Sequence, residues 1–149
     1  METVKIQQAI LRQMTEHARV GMPNECCGLL SGKYGLIDDI RLCQNECGSP
    51  SAFRVPNHEL FDFFRCLRES GREFLGIYHS HPDGTTKPSE RDAAEFFYRD
   101  ASYWIVSLHN GLASVRCFEW RRVRFVEVPY VVKTGSEEAD LSDWKSSVE

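Results

Sequence analysis

Two histidines flank a serine at His79-Ser80-His81, and Pro82 follows at once. Side chains on a strand alternate faces, so His79 and His81 project to the same side, about 7 Å apart along the chain. Two imidazoles so placed can converge on one metal ion. Beyond six intervening residues, Ser89-Glu90-Arg91-Asp92 opens a helix. Ser89 and Asp92, three residues apart, share one side of its first turn. Two histidines and a carboxylate are a three-ligand set for a catalytic zinc ion, with the fourth position left to water. Zinc lowers the pKa of bound water from ~16 toward ~7. Hydrolysis then needs a carboxylate to carry the water's proton to the leaving group. It also needs a hydrogen-bond donor where the oxyanion develops.

Each piece alone has a plainer reading. Ser89-x-x-Asp92 is also a capping pair, with Ser89 as N-cap and an acid near the positive helix end. A histidine pair on a strand is often structural. The two readings are compatible, because Ser89 can cap while Asp92 faces a metal. Asp92 borders the apolar face given by Ala93, Phe96 and Phe97. A carboxylate there is costly to bury unless it has a cation or donors. Cys43 and Cys47 have the spacing of half a zinc site, but no second Cys/His pair completes it, so they read as packed or loop thiols.

The elements that must position these residues follow from periodicity and punctuation. Ile6, Ile10, Met14 and Ala18 recur every four residues, which predicts an amphipathic helix over 3–19, ended by Gly21 and Pro23. CCGLLSG and YGLIDDIRLC read as two strands around a turn, and residues 44–55 as a loop. A second helix starts at Asn57 as N-cap and stops at Gly71, with Phe61, Phe63 and Phe64 as core positions. EFLGIYHSHP is a buried strand, and a third helix runs from Ser89 to about Asp100. YWIVSLH and ASVRCFEW flank Asn110-Gly111, a strong hairpin signal. RRVRFVEVPYVV reads as one last strand, with Val123, Phe125 and Glu127 alternating against Arg122, Arg124 and Val126. The order predicts an α/β (α+β) domain with one curved mixed, largely antiparallel sheet flanked by helices.

Composition bounds the function classes. The chain has 149 residues, 42% hydrophobic and 27% charged, which suits one soluble globular domain over 1–133. No apolar run approaches the roughly 20 residues of a membrane span. The amphipathic N-terminus lacks the apolar region of a secretory signal, so the expectation is a cytoplasmic protein whose six cysteines are reduced. The net charge of −4 belongs to the tail over 134–149, where Glu137, Glu138, Asp140, Asp143 and Glu149 face only Lys145. That acidic tail is expected to be disordered. The body is electrically balanced, without the basic excess of a nucleic-acid binder. His17, His58 and His109 are isolated, and Arg121, Arg122 and Arg124 read as a solvated hairpin end.

Taken together, the pattern resembles the JAMM/MPN+ (JAB/MPN domain) zinc metallopeptidases. Their signature is an upstream Glu, then H-[ST]-H-P, six residues, and S-x-x-D, and this sequence matches every position. Pro23-Asn24-Glu25-Cys26-Cys27-Gly28-Leu29-Leu30-Ser31-Gly32 is similar to the family's P-x-E-x-C-G-L-L-x-G stretch, and YWIVSL is similar to its strand after the zinc helix. The resemblance implies that His79, His81 and Asp92 hold Zn2+, that Glu25 is general base and proton shuttle, and that Ser89 donates to the oxyanion. It also implies an MPN/cytidine-deaminase-like fold. Few residues follow Asp92, which leaves no room for the large insertions of eukaryotic ubiquitin-cleaving members. The chain resembles the small prokaryotic branch, some of whose members act on ubiquitin-like sulfur-carrier proteins ending in Gly-Gly. The expected function is hydrolysis of an amide bond at such a tail, admitted as an extended segment to a cleft beside an edge strand. The alternative is a non-catalytic MPN partner-binding module with a structural zinc. The missing H-x-E and P-C-x-x-C elements weigh against nucleoside deamination. An amidohydrolase barrel would need about 250 residues.

Overall fold

Ile10, Met14 and Ala18 are the buried stripe of helix α1, Gln8–Gly21, which lies on one face of a sheet. The computed structural model describes residues 3–95 and 98–134. The order is β1 (Val4–Gln7), α1, β2 (Cys27–Lys33), β3 (Leu36–Cys43), α2 (Asn57–Ser70), β4 (Glu73–His81), α3 (Glu90–Glu95), β5 (Ser102–His109), β6 (Leu112–Arg121), β7 (Arg124–Val128) and β8 (Tyr130–Lys133). The strands form one sheet in the order β7-β6-β5-β4-β2-β3-β1-β8. β4–β5, β1–β3 and β1–β8 pair in parallel, and the other four pairings are antiparallel. This is the mixed, largely antiparallel sheet that the sequence predicts.

β7 and β8 occupy opposite edges of the sheet, yet only Pro129 separates them in the chain. The sheet must therefore curl until its edges approach. Tyr130 pins this closure: its hydroxyl donates to the Val115 carbonyl at 2.8 Å and its ring packs on Trp104. The single last strand expected from RRVRFVEVPYVV is thus two strands broken at Pro129, which has no N–H to donate to a ladder.

Other expectations are corrected. The first helix begins at Gln8, and Val4–Gln7 is a strand held between β3 and β8. Asn57 is the first residue of α2 and not its cap; Pro56 takes the cap position, with no side-chain capping bond. Phe61 is 70% exposed, while Phe63 is buried. Phe96, Phe97 and the tail from residue 135 lie outside the described residues, so the third helix is described only to Glu95. The C-terminus of α2 is as expected, with Gly71 in the left-handed conformation. No helix among the described residues is long and apolar enough to cross a membrane.

Alternation along β4 and β5 sends side chains to two cores. Tyr78, Trp104 and Val106 pack under α1, and Ile77, Tyr103 and Ile105 pack under α2. His79 follows Ile77 onto the α2 face. Two features lock β4 against the start of β2. The Ser80 N–H donates to the Cys26 carbonyl at 3.0 Å, and Ser80 Oγ accepts the Cys26 N–H at 2.8 Å. Gly28 lies in register with Tyr78, whose ring crosses the space a Cβ would fill. The Tyr78 hydroxyl thereby reaches Nδ1 of His17 on α1 at 2.7 Å.

Two stability changes are expected in chelator-treated protein. Gly28→Ala forces the Tyr78 ring aside and costs about 1–3 kcal/mol. Ser80→Ala leaves the buried Cys26 N–H unpaired and also costs about 1–3 kcal/mol. Urea denaturation checks both, and an unchanged midpoint in either variant would show that the contact does not bear on folding.

Candidate metal centre

His79 Nε2 and His81 Nε2 are 2.9 Å apart, and Asp92 Oδ2 is 3.3 Å from each. His79 is 0% exposed, His81 5% and Asp92 9%. A tetrahedral ion with Zn–N and Zn–O bonds of about 2.0–2.2 Å sets its ligand atoms about 3.3 Å apart. The triangle's two edges to Asp92 match that spacing at 3.3 Å, and its edge between the histidines is shorter at 2.9 Å. Its three corners are two unshared nitrogen pairs or weak donors and one carboxylate oxygen, a set that a cation neutralises. His79 Nδ1 is buried without a hydrogen-bond partner among the described residues.

Each corner is held by a different device. The His79 ring is stacked on Phe53, with centroids 4.5 Å apart, and packs against Tyr103 at 5.1 Å. His81 is held by hydrogen bonds between Nδ1 and Thr85. Asp92 sits in the first turn of α3. Asp92 Oδ2 accepts the Ser89 N–H at 2.8 Å, and Ser89 Oγ accepts the Asp92 N–H at 3.0 Å. The capping reading and the ligand reading therefore hold at once in one carboxylate. Because Ser89 Oγ accepts, its own proton remains available to a further acceptor.

Electrostatics follow this packing. Burial pushes His79 down, only partly offset by Asp92. Burial also opposes the charge on His81, but the Asp92 carboxylate and the Thr85 carbonyl outweigh it and hold His81 above its ordinary value. Burial would raise Asp92, yet both imidazoles and the Ser89 N–H hold it far below the usual carboxylate range.

Glu25 lies just before β2 and is 6% exposed. Its backbone is clamped by the loop after β3: its N–H donates to Ser49 O at 2.9 Å, and its carbonyl accepts from Asn45 Nδ2 at 3.0 Å. Burial pushes the Glu25 carboxyl up to about 7, with His81 lowering it and Asp92 raising it by smaller amounts. Glu25 Oε1 is buried without a partner among the described residues. A buried carboxyl whose proton is so evenly held suits proton transfer near neutral pH.

A cavity of about 480 Å3 opens beside Asp92, with Phe53, Leu60, Ile77 and Tyr103 among its apolar walls and Arg54 and Arg91 among its lining residues. It does not adjoin an edge strand as expected: β4 lies inside the sheet, between β5 and β2. The cleft is instead bounded by the segment before α2 and by α3. Sequence reasoning missed Phe53, Tyr103, Thr85 and Ser107. Their only signal was residue type, since their contacts to the histidines span loops and neighbouring strands. His17 is satisfied by Tyr78, as expected, while His58 and His109 are exposed and stand apart from the triad. Cys26, Cys27 and Cys43 are buried free thiols, and the metal-competent cluster among the described residues does not include Cys43 or Cys47.

Comparison with known proteins agrees with this geometry. The family model described as prokaryotic homologs of the JAB domain matches residues 7–123. A CysO-cysteine peptidase of Mycobacterium tuberculosis is 31% identical over 107 residues, covering 70% of this chain and 73% of that one. A desampylase of Haloferax volcanii is 25% identical over 128 residues, covering 84% and 90%. The solution structure of protein DSY2949 from Desulfitobacterium hafniense superposes with a TM-score of 0.80 at 27% identity, covering 90% of this chain and 95% of that one. A match that runs from the start of α1 through β6 and contains Glu25, both histidines, Ser89 and Asp92 shows that the chain belongs to the prokaryotic JAB-domain family.

Proposed function

We propose that the chain is a zinc-dependent peptidase or isopeptidase that hydrolyses an amide bond at the C-terminal Gly-Gly tail of a ubiquitin-like sulfur-carrier protein. The observation that carries this reading is the buried triangle of His79 Nε2, His81 Nε2 and Asp92 Oδ2, with edges of 2.9, 3.3 and 3.3 Å. Relatives named as a peptidase and a desampylase support the reaction class. The unit that works is the body over 1–133, with the acidic segment over 134–149 appended. Six cysteines, free in the structure, suit a cytoplasmic setting.

His79, His81 and Asp92 are the residues that would hold Zn2+. Bound there, zinc would make a water molecule acidic enough to ionise near neutral pH. Glu25 takes the water's proton and delivers it to the departing amine, its carboxyl poised by burial. The Ser89 hydroxyl, whose acceptor side already engages the Asp92 N–H, donates to the carbonyl oxygen as negative charge gathers there. The cleft beside Asp92 holds the extended tail, and its apolar walls exclude competing water.

Elemental mass spectrometry of protein purified without chelator should find about one zinc per wild-type chain, lost or sharply reduced in Asp92→Ala. Glu25→Gln should keep its zinc and lower kcat on a carrier bearing a residue after Gly-Gly by about 10²–10⁴-fold. Ser89→Ala should lower kcat by about 10²–10³-fold. Undiminished cleavage in Glu25→Gln, His79→Ala and Asp92→Ala would end the assignment. Stoichiometric zinc without cleavage of any carrier would favour a partner-binding module.

A further inference from the structure

His79 is oriented by ring packing, whereas His81 is oriented by a chain of hydrogen bonds that reaches another strand. The Thr85 hydroxyl has one proton, and Asp83 Oδ1 accepts it at 2.8 Å. Thr85 Oγ1 therefore turns a lone pair toward His81 Nδ1, 2.9 Å away. The Thr85 carbonyl, 3.1 Å from the same nitrogen, can only accept. With two acceptors facing it, Nδ1 carries a ring proton, which leaves Nε2, the atom that faces His79 and Asp92, as the one a metal ion would take. That tautomer is the one a metal ion requires.

The arrangement holds only while the Thr85 carbonyl stays in place. Thr85 belongs to the connection between β4 and α3, next to Gly84 at φ 86°, so its own backbone does little to fix it. Two outside contacts do. Asp83 Oδ1 accepts the Thr85 N–H at 3.0 Å, and the Ser107 hydroxyl donates to the Thr85 carbonyl. Ser107 is on β5, in parallel register with His81, and is 3% exposed. It lies outside the histidine motif in sequence, and its hydroxyl bonds to Thr85.

We propose that Asp83, Thr85 and Ser107 are positioning residues that hold His81 as its Nδ1–H tautomer, with Ser107 anchoring the connection to the sheet. The zinc readout rests on the metal-centre reading above; the tautomer readout does not. Removing such an outer partner typically weakens metal binding without abolishing it.

The test compares the full-length wild type with Ser107→Ala, Ser107→Thr and Ser102→Ala. Ser102 is a second buried β5 serine, at the far end of the strand, whose hydroxyl donates to the Leu75 carbonyl. Zinc affinity is read by competition with a chromophoric chelator. The His81 tautomer is read in zinc-free protein from imidazole 15N chemical shifts. Ser107→Ala should bind zinc about 10–100-fold more weakly, and Ser107→Thr and Ser102→Ala should stay within about threefold of wild type. At a pH where the His81 ring is neutral, the wild-type spectrum should show protonated Nδ1 and bare Nε2, and Ser107→Ala a mixture. Wild-type affinity in Ser107→Ala would overturn the proposal, as would an equal loss in Ser102→Ala or no recovery in Ser107→Thr. A wild type that binds no zinc would instead defeat the metal-centre reading, and the spectra would still decide the tautomer.

Discussion

Two imidazole nitrogens 2.9 Å apart, with a carboxylate oxygen 3.3 Å from each, are the constraint on which the rest of the structure depends. Groups that offer lone pairs repel when brought together away from water, and a buried ionised carboxylate is costly on its own. The chain meets that cost by placing the histidines on the best-supported strand. β4 is flanked by β2 and β5 and so has no free edge. The opposing strand is tied to it at Ser80, the residue between the two ligands. A site assembled on interior strands is held more precisely than one built on loops.

Asp92 shows how one carboxylate can serve local and tertiary structure together. One oxygen accepts the Ser89 N–H and also faces both imidazoles. α3 is described over only six residues, too short to be stable by itself. Its start is secured by the reciprocal bonds of Ser89 and Asp92. The helix cap and the candidate metal site therefore reinforce each other, and the motif spacing satisfies both at once.

Glu25 is brought to the triad by a strand other than the one that carries the histidines, and its charge acts on His81 and Asp92. Glu25 enters from the chain preceding β2, clamped through its backbone by Asn45 and Ser49, and has one buried carboxyl oxygen without a partner among the described residues. That is an unfavourable arrangement for folding alone and a useful one for a base. The same clamp brings Phe53 of the following segment onto His79. One loop thus orients a base on one side and a ligand ring on the other. Of the triangle's three residues, Asp92 lines the cleft, together with Phe53, which covers His79.

Local pattern was enough for the candidate ligand set and the helix cap. The i, i+2 spacing of His79 and His81 places them on one strand face, and Ser89-x-x-Asp92 defines a helix start whatever surrounds it. Glu25 was legible only through the family stretch around it, since one acid before a strand has no signature of its own. The long-range pairings were not legible. Val4–Gln7 is a strand because β3 and β8 receive it, and Ile6 fits a helical stripe equally well. RRVRFVEVPYVV splits across two sheet edges because the sheet curls, a property of all eight strands together. Phe53, Thr85 and Ser107 reach the histidines across loops and neighbouring strands, where sequence distance does not encode spatial distance. The sequence by itself determined which atoms could bind a metal, because side-chain periodicity is local. Only the tertiary structure decided how those atoms are oriented, because orientation depends on register and packing between segments far apart in the chain.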